Sequence, residues 1–261
     1  MKITKLFGIT LAFLCVGALA SCNNDGGKTS APTTVPTSTP TVAPTSTPTT
    51  TAPVSDVLTY AEYVAAENGT EVTIAAYIQA KQSWWKNQAV VYLQDDNGGY
   101  FVYNLPCTEE QYNTDLAIGN RVKITGIKGA WAGQVEILGS EAGAEATYEL
   151  LAGNKVYEAK AMTAFDSESL LAVLNQKVSF ENLEVVSVTA PTQDGGDIYF
   201  DVTNGEYTYT FCIESYLTSK STEVYQTALA LKAGDVINCE GFMYCYNNPQ
   251  LHTTAITVKT K

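Results

Sequence analysis

The sequence predicts an all-β protein with short helices, in which two tandem five-stranded Greek-key barrels follow a disordered linker. Three observations lead to this fold class. The chain from residue 56 onward matches itself once, so it contains an internal repeat. Each copy has short runs of alternating apolar residues separated by turn-forming residues, which is typical of strands. Residues 29–53 consist only of Thr, Pro, Ser, Ala and Val, and such a composition cannot form a packed core.

The first 21 residues have the features of a secretion signal peptide. Lys2 and Lys5 precede an apolar run that is too short to span a membrane. The run ends in Leu-Ala-Ser-Cys at positions 19–22, which resembles the lipobox of bacterial lipoproteins. This resemblance implies a diacylglycerol on the thiol of Cys22 and a lipid-anchored protein on the extracellular face of a bacterial cell membrane. An ordinary cleaved signal with an unmodified cysteine is the alternative.

Residues 22–55 are predicted to be a disordered linker that carries this anchor at its start. Within residues 29–53 there are 11 threonines and 6 prolines, and a proline recurs every four residues from Pro32 to Pro48. Frequent prolines favour an extended polyproline II conformation, and 25 residues at about 3.1 Å each reach roughly 75 Å. We therefore expect a stalk that holds the folded part of the chain away from the membrane.

The internal repeat divides the remaining chain into two domains, residues 56–150 and 151–261. An Asn-Gly pair at position 97 recurs at position 204, an offset of 107 residues. The segment 118–126 recurs at 233–241, an offset of 115 residues, with two glycines aligned. Both copies have a size that is normal for an independent domain.

The same elements are predicted in the same order in each copy. The Asn-Gly pairs indicate type I′ hairpin turns, and the sequence Thr-Glu-Glu-Gln from Thr108 indicates a capped helix. The segments predicted for the first copy are a helix at 60–67, strands at 72–78, 90–93 and 100–103, a helix from 108, and strands at 122–126 and 135–138. Those predicted for the second copy are a helix at 161–175, strands at 178–188, 198–200 and 207–213, a helix at 222–231, and strands at 236–241 and 255–258.

Five strands with a helix between the third and the fourth resemble the OB-fold, a small Greek-key barrel. The hairpin at residues 92–100 and the Leu-x-x-Gly-x-x-Val segment from Leu116 are similar to tandem OB-like domains of secreted bacterial proteins. The resemblance covers residues 56–261 and bears on the fold more than on the function. Another small β-sandwich is the alternative fold.

The resemblance also implies where a ligand would bind. OB-folds bind ligands on their second and third strands, between the loop joining strands one and two and the loop joining strands four and five. In the first copy these two loops contain all three tryptophans of the chain, and we predict that they come together. The alternative is that one or two of them close the end of the barrel. The aromatic candidate ligand-binding residues are Trp84, Trp85, Trp131, Tyr92 and Tyr100 in the first copy and Tyr244 and Tyr246 in the second.

The charge of the chain bears on the partner. With 27 acidic and 15 basic residues, the formal net charge is −12, whereas nucleic-acid binding requires clustered Lys and Arg. We therefore predict a monomer that binds an extracellular glycan or protein through its exposed aromatic rings. Single-stranded nucleic-acid binding and the positioning of an extracellular enzyme are the alternatives. The basic residues of the first copy that could still form one patch are Lys81, Lys86, Arg121, Lys123 and Lys128.

No pattern in the sequence indicates catalysis, a cofactor or a metal. The single histidine is His252, and the chain has no Cys-x-x-Cys motif and no evident pair of catalytic carboxylates. The Asp-Asp-Asn sequence at 95–97 is interpreted as a solvated turn, because further oxygen ligands for Ca²⁺ are missing. The cysteines predicted to be buried free thiols are Cys107, Cys212, Cys239 and Cys245, with a disulfide to Cys212 as the alternative.

Overall fold

The computed structural model describes residues 56–140 and 145–259. The predicted signal peptide, the lipid attachment at Cys22 and the Thr/Pro-rich linker lie outside the described residues. The described residues form two closed five-stranded barrels, each with one additional strand. In this part of the chain no helix is both long and apolar enough to cross a membrane.

The first barrel begins with a short helix and closes by pairing its first strand with its fourth. Its elements are α1 (Tyr60–Ala65), β1 (Glu71–Lys81), β2 (Gln88–Gln94), β3 (Gly99–Pro106), α2 (Glu109–Thr114), β4 (Asn120–Trp131), β5 (Gln134–Leu138) and β6 (Thr147–Asn154). The strand order is β1-β2-β3-β5-β4, and β4 pairs back onto β1. The additional strand, β6, pairs with β4.

The second barrel repeats this order. Its elements are β7 (Lys160–Ala161), α3 (Ser167–Leu171), β8 (Lys177–Thr189), β9 (Ile198–Thr203), β10 (Thr208–Ile213), α4 (Glu223–Ala230), β11 (Val236–Tyr246) and β12 (Asn248–Val258). The strand order is β8-β9-β10-β12-β11, with β11 paired back onto β8 and the short β7 added beside β8. The predicted fold class of two tandem OB-like barrels is confirmed. The two additional strands were not predicted.

Alternating apolar residues build the interior of each barrel. In β1 every second residue from Val72 to Ile78 is buried, and the residues between them are partly exposed. Because successive side chains of a strand point to opposite faces, this pattern turns one face of β1 towards the barrel interior. Each barrel thus has a hydrophobic core of its own. Full burial of one aliphatic side chain contributes about 1.5–3 kcal/mol, so these cores are the main source of stability.

The helix that precedes the second barrel is shorter than predicted. The sequence indicated a helix over residues 161–175, whereas α3 covers only Ser167–Leu171. Asp166 caps its start by accepting a hydrogen bond from the backbone N–H of Ser169 at 2.9 Å. The first residue of the predicted helix, Ala161, instead belongs to β7, which pairs with β8. The capping box predicted at Thr108 is confirmed at the start of α2.

The type I′ turn predicted at Asn97-Gly98 is wrong, because neither residue has a positive φ. The carboxylate of Asp95 accepts hydrogen bonds from the backbone N–H groups of Asn97 and Gly98, at 2.7 and 2.8 Å, and this fixes the turn. Glycine is needed at position 98 for another reason. A Cβ atom there would lie only 2.2 Å from the ring of Tyr60, so α1 packs directly against this turn.

The two barrels meet in a buried aromatic cluster, which we call the junction. Its buried members are Ala80, Val90, Tyr92, Phe101 and Phe242. Phe242 of the second barrel stacks on Tyr92 of the first, with ring centroids 4.6 Å apart. The hydroxyl of Tyr92 also forms a 2.7 Å hydrogen bond with Nδ1 of His252. Burial lowers the pKa of His252 to about 3, so this ring is neutral at physiological pH.

Buried amide side chains add hydrogen bonds to the junction. Gln134 of the first barrel donates to Oδ1 of Asn175 at 2.6 Å and accepts from the backbone N–H of Cys245 at 3.1 Å. Gln94 accepts from the backbone N–H of Lys177 at 2.9 Å. Each such hydrogen bond contributes a net free energy of about 0.5–1.5 kcal/mol to stability, and leaving one buried partner unsatisfied costs more. These hydrogen bonds therefore hold the two barrels in one position relative to each other.

All four cysteines of the described residues are free thiols, and all four are buried, as predicted. Burial raises the pKa of Cys107 to about 11 and that of Cys239 to about 12. Since only the thiolate is a nucleophile or a metal ligand, both side chains are unreactive at neutral pH. Their contribution is to core packing.

Candidate functional site

The three tryptophans occupy two different environments. Trp84 packs against the core of the first barrel, and its Nε1–H donates to the carbonyl of Cys107 at 3.1 Å. In contrast, Trp85 and Trp131 are 64% and 56% exposed. Trp84 therefore closes the end of the barrel, as the alternative prediction for one or two of the tryptophans stated. The indoles of Trp85 and Trp131 are the two that are exposed to a ligand.

Two of the predicted ligand-binding residues, Tyr92 and Tyr100, have buried side chains. Tyr92 lies in the junction beneath Phe242. Tyr100 points into the first barrel, where its ring contacts that of Tyr63 at 5.0 Å and its hydroxyl donates to Asp95 at 2.9 Å. Neither ring can stack on a ligand while the barrels keep this arrangement.

Burial of Tyr92 has a wider consequence for the first barrel. Val90 and Tyr92 of β2 and Phe101 of β3 belong to the two strands on which an OB-like barrel binds its ligand. In this protein the second barrel covers that face with Phe242 and the partly buried Leu217. In the corresponding strands of the second barrel, Tyr199 of β9 is 39% exposed and Thr208 and Thr210 of β10 are exposed, so among the described residues this part of the face is uncovered, whereas Cys212 of β10 is buried.

The last hairpin of each barrel reaches the same place at the edge of the junction. Trp131 and Tyr246 occupy equivalent positions in the two repeats, at the offset of 115 residues, and their rings lie 5.2 Å apart. The turn after Trp131 consists of Ala132 and Gly133, both with positive φ, and the carbonyl of Ala132 accepts from the backbone N–H of Asn247 at 2.6 Å. A Cβ atom on Gly133 would lie 2.6 Å from the sulfur of Cys245, so glycine permits this close contact.

Exposed aromatic side chains line three neighbouring depressions around these hairpins. We call this set the aromatic surface, and each of its members is at least 39% exposed. Its members are Trp85, Tyr103, Trp131, Tyr199, Tyr216 and Tyr246. Large exposed aromatic patches on a folded protein mark binding surfaces, because burying such rings against a partner is favourable.

The first depression has a volume of about 370 Å³ and contains side chains from both barrels. Trp85 and Tyr103 come from the first barrel and Tyr216 from the second. The carbonyl of Tyr216 accepts from both the backbone N–H and the hydroxyl of Ser83, at 2.8 and 3.2 Å. Amide side chains of Gln82, Gln88 and Asn104 complete the lining and offer hydrogen bonds to a ligand.

The second and third depressions continue from the first. The second, of about 340 Å³, lies between Tyr103, Trp131, Glu136 and Tyr244. The ring of Tyr244 stacks on His252 at 4.1 Å, so this predicted ligand residue is partly buried and supports the depression from the junction side. The third, of about 490 Å³, lies on the uncovered face of the second barrel and is lined by Tyr199, Thr208, Tyr209, Thr210, Tyr246, Asn248, Pro249 and Gln250.

A capped turn holds Tyr216 in place. The carboxylate of Glu214 accepts from the backbone N–H of Leu217 at 2.8 Å and from that of Tyr216 at 3.3 Å. Burial raises the pKa of Glu214 to about 7, and the negative charge of Asp197 adds to this effect. The turn that carries Tyr216 therefore depends on a carboxylate that titrates near neutral pH.

The residues that line the three described depressions include no lysine and no arginine. Lys86 stands beside the first depression, with its ammonium group 5.5 Å from the centre of the Trp85 ring. The one carboxylate in the lining is that of Glu136, which is 7% exposed. The aromatic surface is thus built from rings, amides and hydroxyls rather than from charges.

Two other basic residues of the first barrel are engaged in contacts within the protein. The ammonium group of Lys128 is buried and donates to the carbonyls of Tyr63, Val64 and Ala66 at the end of α1. Lys123 forms ion pairs with Asp56 and Glu149. Two of the five basic residues that could have formed a phosphate-binding patch, Lys123 and Lys128, are therefore engaged within the protein, whereas Lys86 stands beside the first depression.

Sequence analysis missed three members of the aromatic surface. Tyr103 follows the buried Val102 in β3, so strand alternation alone places it on the outer face. Tyr199 lies on the outer face of β9, as Tyr92 lies on the outer face of the corresponding strand β2, but Tyr92 is covered by the second barrel and Tyr199 is exposed. Tyr216 lies in a connection without a strand or helix pattern, and the sequence carries no signal for its position.

The described residues contain no group of three or more His, Cys, Asp and Glu side chains placed to hold a metal ion. The polar groups along the aromatic surface are side-chain amides and hydroxyls, which orient ligands by hydrogen bonding.

No protein-family model matches the chain, and no curated protein matches it. Among solved structures it is similar to a murine DNA-binding protein bound with double-stranded DNA, at 10% identity and a TM-score of 0.36, over 72% of this chain and 97% of that one. It is also similar to the p204 HINb domain, at 9% identity and a TM-score of 0.34, over 74% and 100%. A replication protein A heterotrimer bound to single-stranded DNA matches at 13% identity and a TM-score of 0.30, over 74% and 49%. With TM-scores below 0.5, these similarities carry no argument about the ligand of this chain.

Proposed function

We propose that this protein is a non-catalytic binding protein whose aromatic surface holds a neutral glycan. The observation that carries the proposal is the composition of the three depressions: six exposed aromatic rings, flanked by amides and hydroxyls, without a lysine or arginine in the lining. Aromatic rings stack on the apolar faces of sugar rings, and amides bond to sugar hydroxyls. OB-like barrels are a known scaffold for oligosaccharide binding.

The location of the protein belongs to the same proposal. The lipobox-like sequence at residues 19–22 and the Thr/Pro-rich linker support display on the outer face of a bacterial membrane, through a lipid on Cys22. Labelling with a palmitate analogue tests this step. We expect the label on the wild-type protein and its loss in Cys22→Ala, and an unlabelled wild-type protein would contradict the anchor.

A single-stranded nucleic acid is the second candidate ligand, because bases also stack on exposed aromatics of OB-like barrels, at about 1–3 kcal/mol each. The charges disfavour it. Phosphate binding requires available Lys and Arg, whereas Lys123 and Lys128 are engaged in internal contacts. The two candidates differ in their dependence on salt, since glycan binding by neutral groups is insensitive to ionic strength.

Calorimetric titration with neutral hexasaccharides of glucose, xylose, mannose and N-acetylglucosamine tests the function. We expect at least one series to bind and Trp131→Ala to weaken that binding about tenfold or more, the equivalent of 1.4 kcal/mol. Tyr207→Ala is the matched control, because Tyr207 is 39% exposed and does not line the three depressions. The absence of glycan binding would contradict the proposal. Salt-sensitive binding of a 15-nucleotide oligothymidylate would favour the second candidate.

A further inference from the structure

We propose that one linear glycan chain crosses the junction and binds both barrels at once; this inference rests on the proposed function. The three depressions form a row with shared walls. Tyr103 lines both the first and the second depression. Trp131 of the second depression contacts Tyr246 of the third, with ring centroids 5.2 Å apart. The aromatic surface is therefore a continuous track that runs from Trp85 to Tyr199.

Neither barrel alone contains the track. Tyr216 of the second barrel forms one wall of the first depression, and its carbonyl accepts hydrogen bonds from Ser83 of the first barrel. Tyr244 of the second barrel faces Tyr103 and Trp131 of the first across the second depression. Because two of the three depressions are incomplete without the second barrel, the tandem repeat builds one composite site rather than two equivalent ones.

The covered face of the first barrel accounts for this arrangement. The strands on which an OB-like barrel would bind its own ligand are occupied in the first barrel by Phe242 and Leu217. Along the edge of the junction the first barrel still exposes Trp85, Tyr103 and Trp131, so a ligand can contact the first barrel there. The uncovered face of the second barrel then continues the same track through Tyr246 and Tyr199.

The junction fixes the spacing between the depressions. Phe242 stacks on Tyr92, and Gln134 bonds to Asn175 and to the backbone of Cys245, so both barrels are tied to each other directly beneath the track. A track that is already formed in the free protein avoids the entropic cost of assembling it around the ligand. Each depression, at about 340–490 Å³, has the size of a small-ligand pocket, and this predicts a ligand with at least three successive ring units.

The chemistry of the lining specifies the ligand class. The rings select a chain with repeated apolar faces, and the amides of Gln82, Gln88 and Gln250 select one with hydroxyl groups. A polyanionic chain is excluded, because the lining offers no basic side chain and contains the carboxylate of Glu136. The inferred ligand is a linear, uncharged polysaccharide. Its sugar rings carry mostly equatorial hydroxyl groups, so that their apolar faces can stack on aromatic side chains.

The dependence of affinity on chain length tests this inference. The probe is the neutral oligosaccharide series that binds in the hexasaccharide panel, at lengths of two, three, four and six units. Because a chain that reaches several subsites gains the later contacts intramolecularly, affinity should rise about 100-fold or more from two units to six, with one chain bound per protein. A constant affinity above three units, or two chains per protein, would overturn the inference while leaving the proposed function intact.

Variants at the two ends of the track provide a second test of the inference. Trp85→Ala removes a ring at one end and Tyr199→Ala a ring at the other, and both side chains are exposed enough that folding should be preserved. We expect each variant to weaken hexasaccharide binding about tenfold, whereas the Tyr207→Ala control binds like the wild type. An effect at one end only would refute the composite site. If no neutral oligosaccharide of any length binds to the wild type, both the inference and the proposed function are refuted.

Discussion

Removal of the Phe242 ring should uncouple the two barrels. This side chain is 2% exposed and stacks on Tyr92 at 4.6 Å, within a cluster to which both barrels contribute. Truncation of a buried phenylalanine to alanine removes the transfer free energy of the ring and leaves a cavity, at a total cost of about 3–5 kcal/mol. For a folded unit of this size, 1 kcal/mol corresponds to a shift of about 2–4 °C, so Phe242→Ala should lower Tm by about 10 °C.

Differential scanning calorimetry of Phe242→Ala measures this effect. We expect the wild type to unfold in one transition, since the junction couples the barrels, and the variant to unfold at lower temperature or in two separate transitions. Leu229→Ala is the control, because Leu229 is 43% exposed on α4 and its loss should change stability by no more than about 0.5 kcal/mol. A single transition within 2 °C or so of the wild-type Tm would refute the packing argument for the junction.

Three further substitutions test individual contacts. The pKa of Glu214 is raised to about 7 from an ordinary 4.5, so the folded state binds a proton more tightly than the unfolded chain does. The contribution of protonated Glu214 to stability is therefore present below pH 4.5 and is lost as pH rises through 7. Glu214→Gln should therefore gain stability over the wild type between pH 5 and pH 8, by about 3 kcal/mol at most, in urea denaturation. Subtracting the wild-type stability from that of the Glu214→Gln variant at each pH isolates the effect of Glu214. His252 is present in both proteins, and its lowered pKa changes stability with pH in the opposite direction. Tyr92→Phe should cost about 1–3 kcal/mol, because Nδ1 of His252 loses its buried partner, and a change below 0.5 kcal/mol would contradict the bond. Gly98→Ala should lower Tm by several degrees, since the added Cβ would lie 2.2 Å from the Tyr60 ring, and an unchanged Tm would show that α1 moves aside freely.

The barrels could be predicted from the sequence because their determinants are local. The alternation of Val72, Ile74 and their neighbours specifies an inward face of β1, and the repeat transfers the same assignment to the second copy. The boundary errors also have local causes. The Asn-Gly pair at 97 forms a turn fixed by Asp95, and the cap at Asp166 starts α3 later than the predicted helix, whose first residue pairs within β7.

The site was only partly predictable, because exposure on an outer face depends on what the other barrel covers. The exposure of Trp85 and Trp131 could be predicted from their positions near chain turns, although Trp131 is the last residue of β4 rather than part of a loop. The sequence alone does not distinguish Tyr92 from Tyr199, which lie on the outer faces of corresponding strands, because the burial of Tyr92 is set by Phe242, 150 residues further along the chain. Long-range docking of this kind leaves no periodic signal.

The central claim is that the aromatic surface is where the ligand binds, and iodide quenching of tryptophan fluorescence tests it most directly. In a Trp84→Phe background only Trp85 and Trp131 remain as reporters, and both are exposed in the free protein. Saturation with the hexasaccharide that binds in calorimetry should shift their emission to shorter wavelength and protect both indoles from iodide. Binding that leaves the quenching of both indoles unchanged would place the ligand elsewhere and contradict the account.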